Sequence, residues 1–164
     1  GHHFFGGTQP ACIIRTECTK AIRWRPNIEV GEDSIFMREL SRFINSPSQL
    51  DETLYFYRQQ SESITHKTAN IEKRLKSHVD GAIIMNDLYH SQDGQCEANA
   101  NYLMMFVVYA TTMIAKDYSV YSREQLNRLR ENGLFPFTVP KECTKTRAFT
   151  TDRTDFFGGL YDNY

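Results

Sequence analysis

LDETLYFYRQQSESITHKTANIEKRLKSHVDGAIIMNDLY, residues 50–89, carries the longest ordered pattern in the chain. Steps of four and three along it pass through Leu50, Leu54, Tyr57, Ser61, Ile64, Thr68, Ile71, Leu75, His78, Ala82, Met85 and Tyr89. This is a heptad ladder, and it predicts one long helix with a seam facing a partner. Just before it, Ser46 is a good N-cap, Pro47 suits the first turn, and Gln49 stands where a capping box needs a side-chain acceptor. A helix from Pro47 to His90 would be roughly 65 Å long at about 1.5 Å per residue.

The ladder is uneven. Ser61, Thr68 and His78 make it a poor self-sufficient zipper, because a two-chain coiled coil wants Leu or Ile at most seam positions. Around Ile83, Ile84 and Leu88 the apolar surface broadens past the seam, so the second half reads as a helix buried on several sides. Gly81 there marks either close helix packing or a kink, since glycine lowers helix propensity by about 1 kcal/mol.

A natural partner follows directly. Asp93-Gly94 stops the ladder, with Gly94 expected in the left-handed closing conformation. From Cys96 to Lys116 the chain is apolar all round, and Ala98 to Ala115 gives 18 residues without a charge. That length just reaches the lower limit for a membrane span. Asn99, Asn101, Thr111 and Thr112 speak instead for a central helix buried in protein, folded back on the ladder as an αα-hairpin.

Two shorter helices flank this hairpin. The first is expected from Ser34 to Ile44, capped by Asp33 or Ser34, with Ile35, Phe36, Leu40, Phe43 and Ile44 as its buried stripe. The last begins at Ser122, where Ser122 with Gln125 forms a capping box and Tyr121 with Leu126 a hydrophobic staple. Asn132-Gly133 ends it. The expected fold is therefore all-α. One helical domain spans 1–164, with an irregular N-terminal arm over 1–31, a helical core over 34–132 and a C-terminal arm over 134–164.

The chain of 164 residues is long enough for a real core, and 40 % hydrophobic and 24 % charged residues are not a composition for global disorder. A net charge of −1 argues against a nucleic-acid footprint. The first residues have neither the basic nor the apolar region of a signal peptide. No GxSxG, HExxH, GxGxxG or P-loop occurs, so an enzyme and a bound cofactor are both unexpected. His78 lies on the seam, and Asp87 with His90 has i, i+3 spacing. The further carboxylates of a di-metal bundle are missing, so these read as packing or surface residues.

Four cysteines are present: Cys12, Cys18, Cys96 and Cys143. None has zinc-site spacing. Free thiols and two disulfides are both open readings. Arms with little core of their own gain most from a covalent clip, which tilts the expectation toward bridges and an oxidising or extracellular setting.

The arms share two words in mirrored order. FFGG stands at Phe4–Gly7 and Phe156–Gly159, ECTK at Glu17–Lys20 and Glu142–Lys145. Apolar aromatics in such arms are hard to leave in water. Phe4, Phe5, Trp24, Phe156, Phe157 and Tyr161, with Tyr57 and Ile64 on the ladder's first half, are accordingly the candidate partner-binding residues.

Arg25-Pro26-Asn27-Ile28-Glu29 resembles part of the signature loop of tektins, the long-helix proteins of ciliary microtubules. In that family the signature continues through a cysteine, where this chain has Val30-Gly31. The likeness covers five residues, and no function is carried over from it. The sequence thus points to a non-enzymatic structural or assembly subunit binding neighbouring proteins, in a larger assembly or a homo-oligomer. A disulfide-stabilised secreted or periplasmic binding protein and a membrane-embedded accessory subunit through 98–115 are the alternatives.

Overall fold

The computed structural model describes residues 12–20, 22–44, 48, 71–117 and 119–144, and the structural statements below concern those residues. In chain order the helices are α1 (Thr16–Thr19), α2 (Glu32–Leu40), α3 (Ile71–His90), α4 (Glu97–Lys116) and α5 (Val120–Glu131). A 3-10 turn, Ser41–Phe43, extends α2. There is no strand among these residues, so the all-α expectation holds.

The centre of the fold is the α3–α4 hairpin. On α3 the seam residues Leu75, His78, Ala82, Met85 and Tyr89 are buried, as are Val79 and Leu88 beside them, while Ile71, the ladder position at the start of the helix, is exposed. They face α4, whose Leu103, Phe106, Val107, Ala110 and Ile114 are at most 1 % exposed. The second half of the ladder thus finds its partner within the chain. Its start, including the Ser46-Pro47 cap, Tyr57 and Ile64, lies outside the described residues.

Gly81 marks close packing rather than a kink. A Cβ built on it would stand 2.5 Å from Cε1 of Phe106. Gly31 meets the same ring from α2, with its absent Cβ 2.7 Å from Cζ. Gly31 also takes φ +80 as the N-cap of α2, a conformation that disfavours any side chain. Two glycines therefore seat one phenylalanine where three helices meet.

The link between α3 and α4 closes differently from expectation. Asp93, not Gly94, is left-handed, with φ 60. Gly94 is required for a different reason: a Cβ there would collide with the carbonyl oxygen of Leu88. Cys96 is the extended N-cap of α4, as the apolar run suggested.

The polar residues of α4 explain why it is a core helix. Asn99 Nδ2 donates to the Gly94 carbonyl (2.8 Å), and its Oδ1 accepts from Arg38 Nε (3.1 Å). Thr111 donates to the Val107 carbonyl (2.8 Å). Asn101 Oδ1 accepts from the Thr144 N–H (3.0 Å) and from the Cys143 thiol (3.2 Å). Polar side chains satisfied by other parts of the chain suit burial in protein. Among the described residues no helix is long and apolar enough to cross a membrane, so the span considered over 98–115 is not supported.

The inner parts of both arms belong to the packed body. Ile28 joins the main core, and the Glu29 N–H donates to Ser77 Oγ of α3 (3.0 Å). On the other side Leu134, Phe135 and Cys143 are buried in that core, and Tyr89 of α3 donates a hydrogen bond to Glu142. A smaller cluster of Ile22, Phe36, Met37 and Leu40 is flanked by Cys12 and Cys18. The two ECTK words thus differ in structure: the first forms most of α1, while Glu142–Thr144 of the second is non-helical chain against α3 and α4. Both FFGG words lie outside the described residues.

All four cysteines are free thiols, and the bridges considered for the arms are not formed. Cys143 is inserted into the main core against Met104, while Cys12 and Cys18 pack on the smaller cluster. Cys143 is buried there, and Cys12 and Cys18 are half-buried.

Helix α5 crosses the hairpin. Asp80 of α3 pairs with Lys76 on its own helix (2.5 Å) and with Arg128 of α5 (2.5 Å). The charged patch at Glu72–Lys76 is otherwise modestly paired, with Lys73 3.1 Å from Glu29. The N-cap of α5 is Ser119, three residues before the expected Ser122. Ser119 Oγ accepts from the Ser122 N–H (3.1 Å), and both hydroxyls donate to Asp117. These hydrogen bonds hold the Asp117 carboxyl below its ordinary value. The C-terminus closes as expected: Gly133 takes φ 68, its N–H bonds the Arg130 carbonyl, and Leu134 N–H bonds that of Leu129. We expect Ser119→Ala to lower stability by about 1 kcal/mol and Ser119→Gly by only a few tenths. Urea denaturation checks this, and the Ala–Gly gap is the mark of a cap.

Candidate functional site

The surface with the clearest chemistry lies beside the smaller cluster, where residues 22–26 run against α2 and its 3-10 extension. Ile22, 6 % exposed, anchors the strand-like chain there. The next residue, Arg23, curls back, and its Nη1 donates to the carbonyls of Lys20 and Ile22 (2.9 and 2.8 Å). Trp24 then lies flat on Phe36 of α2, with ring centroids 4.4 Å apart and planes 5° from parallel. Arg25 reaches α2 and pairs with Glu39 (2.5 Å). A turn through Pro26, closed by Ile28 N–H on the Arg25 carbonyl (3.2 Å), carries the chain away.

From the other side come Arg42 and Phe43. Phe43 was expected in the buried stripe of the first helix. It is 48 % exposed, on the 3-10 turn that follows the end of the α-helix at Leu40. Trp24 is 45 % exposed. Together these residues line an open groove of about 520 Å³. Its lining holds three arginines against the single carboxylate of Glu39, a local charge of +2 on a chain of net charge −1.

That arrangement can bind. Planar guanidinium groups grip carboxylates or phosphates through paired N–H donors, and half-exposed rings offer a stacking face. The lining contains no nucleophile beside a base, and its one carboxylate is engaged by Arg25.

Next in sequence to Glu39 of the groove is a polar strut. Arg38, 2 % exposed, donates to Asn99 Oδ1 and, through Nη2, to Ser41 Oγ (2.7 Å). It links the start of α4 to the turn that presents Arg42 and Phe43. Burial lowers its pKa from the ordinary arginine value, opposed by Cys96 and Tyr102 nearby. Nothing in the helical pattern of α2 distinguished Arg38 from a surface arginine.

Of the residues named from sequence as partner contacts, Trp24 lies in this groove. Phe4, Phe5, Tyr57, Ile64, Phe156, Phe157 and Tyr161 lie outside the described residues. His78 is buried between α3 and α4, its ring stacked on Tyr109 at 5.3 Å. Asp87 and His90 are exposed, and no group of three metal-ligating side chains occurs among the described residues. No known family model, curated protein or solved structure matches the chain.

Proposed function

We propose that the chain is a non-enzymatic assembly subunit that binds a neighbouring protein through the Trp24–Phe43 groove. The observation that supports this reading is the pair of half-exposed aromatic rings framed by three arginines. Exposed rings of this size are energetically unfavourable in water and dominate binding energy when covered. Arginine beside them adds orientation and charge selection, so the partner segment is acidic and aromatic. The four free thiols lend nothing to the disulfide-held alternative, and the helix packing lends nothing to a membrane subunit.

The test is the native mass of the protein isolated from its source, for the wild type and for a Trp24→Ala/Phe43→Ala variant. We expect the wild type to run above the mass of one chain and the variant to fall to that mass. Both side chains are half exposed, so circular dichroism should show unchanged helicity. A wild type that is a compact monomer with nothing bound would overturn the proposal.

A further inference from the structure

The groove has a charge and an aromatic face that a particular stretch of this chain complements. Residues 151–164 read TDRTDFFGGLYDNY. Asp152, Asp155 and Asp162 against Arg153 give this segment a net charge of −2, opposite to the +2 of the groove lining. Phe156, Phe157, Tyr161 and Tyr164 supply four rings. Residues 1–11 carry the same Phe-Phe-Gly-Gly word but no carboxylate. In 49–70, Asp51, Glu52 and Glu62 are nearly balanced by Arg58 and Lys67. Only 151–164 combines the charge with the rings.

Its tether places it within reach. Thr144 bonds Asn101 through its N–H and Glu97 through its hydroxyl (2.7 Å), in the first turns of α4. Asn99, between those two residues, holds Arg38 of α2. Arg42 follows Arg38 by about one helical turn, roughly 6 Å. The ten residues 145–154 can extend to at most roughly 35 Å. Thr144 is thus joined to the groove through two side-chain contacts and short stretches of α4 and α2, a route the linker can follow, and a tethered segment meets the groove at a higher effective concentration than a separate chain does.

We infer that residues 151–164 of the same chain occupy the groove, with Phe156 and Phe157 on its Trp24–Phe43 face and Asp152 and Asp155 toward Arg42 and Arg23. The inference rests on the reading of the groove as a docking surface and names its occupant in the free chain. A partner with an acidic, aromatic segment displaces this one, so the chain's own segment sets a threshold for assembly.

Trp24 is the single tryptophan of the chain, so its fluorescence in the full-length protein reports on the groove alone. We expect acrylamide to quench Trp24 weakly in the wild type. Quenching should rise, and the emission shift to the red, in Phe156→Ala/Phe157→Ala and in Arg42→Glu. Adding Asp155→Arg to Arg42→Glu should restore protection, because the pair is then reversed in sign. High salt should weaken protection in the wild type, since exposed charges are screened. Unchanged quenching in the Phe156→Ala/Phe157→Ala variant overturns the inference. So does protection that grows with protein concentration, which would make a second copy the occupant. Loss of the assembly in Trp24→Ala/Phe43→Ala with no effect of the 151–164 variants would leave the proposed function standing and remove this inference alone.

Discussion

Phe106→Ala is expected to lower the unfolding free energy by about 3–5 kcal/mol, the range for removing a buried aromatic ring. Phe106 is fully buried, and it touches α3 and the N-cap of α2 through two glycines. Neither Gly31 nor Gly81 has a side chain that could move into the vacated space, so the cavity term stays large. The same geometry predicts a change of sign at Gly81. In the wild type, Gly81→Ala gains about 1 kcal/mol of helix propensity but drives a methyl group into the ring, and overpacking costs about 1–3 kcal/mol. The clash should win, giving net destabilisation. In the Phe106→Ala background the methyl group fits the cavity, and Gly81→Ala should stabilise. Four urea denaturation curves measure this cycle. If Gly81→Ala stabilises both backgrounds equally, Phe106 does not occupy the position described.

The helical hairpin was readable because its evidence is local and repeated. Helix α4 lies within a residue of its expected start and ends at Lys116, as its uncharged run required. The seam of α3 is buried where the heptad steps placed it, from Leu75 to Tyr89. Both patterns register burial over several turns, so single exceptions such as His78 do not disturb them. The end of α5 was equally legible, since Asn132-Gly133 supplies the left-handed residue that a closing motif needs.

Other features depended on contacts between distant residues. Ser122 and Ser119 are both competent caps on paper. Asp117 decides between them by accepting both hydroxyls, which draws Ser122 inside the helix. Asn99 and Asn101 had the appearance of interruptions in an apolar helix, yet they are the residues through which α4 holds Arg38 and Thr144. The groove was the least legible part. Trp24 was identified from its residue type, but Arg42 and Phe43 join it from a 3-10 turn after Leu40, where a continuous helix to Ile44 was expected. Nothing in the order of those residues announces that turn.

His78 makes the second large prediction, a loss of stability in mild acid. Its ring is 7 % exposed, stacked on Tyr109 and 6.1 Å from Phe106, and Nδ1 has no hydrogen-bond partner. Burial, with Arg74 one turn away adding repulsion, pushes its pKa down from 6.5 to about 4. The unfolded chain therefore binds a proton at a pH where the folded chain does not. Stability is complete above pH 6.5 and falls as pH drops toward 4. The loss over that window amounts to about 3 kcal/mol from this side chain. Asp117 and Glu142, whose pKa values are lowered by hydrogen bonds, add their own losses at more acidic pH. Urea unfolding at a series of pH values should show the decline between pH 6.5 and 4 in the wild type and a much flatter profile in His78→Phe. A parallel decline in both proteins would mean that His78 binds its proton equally well folded and unfolded, and that burial between α3 and α4 does not depress its pKa.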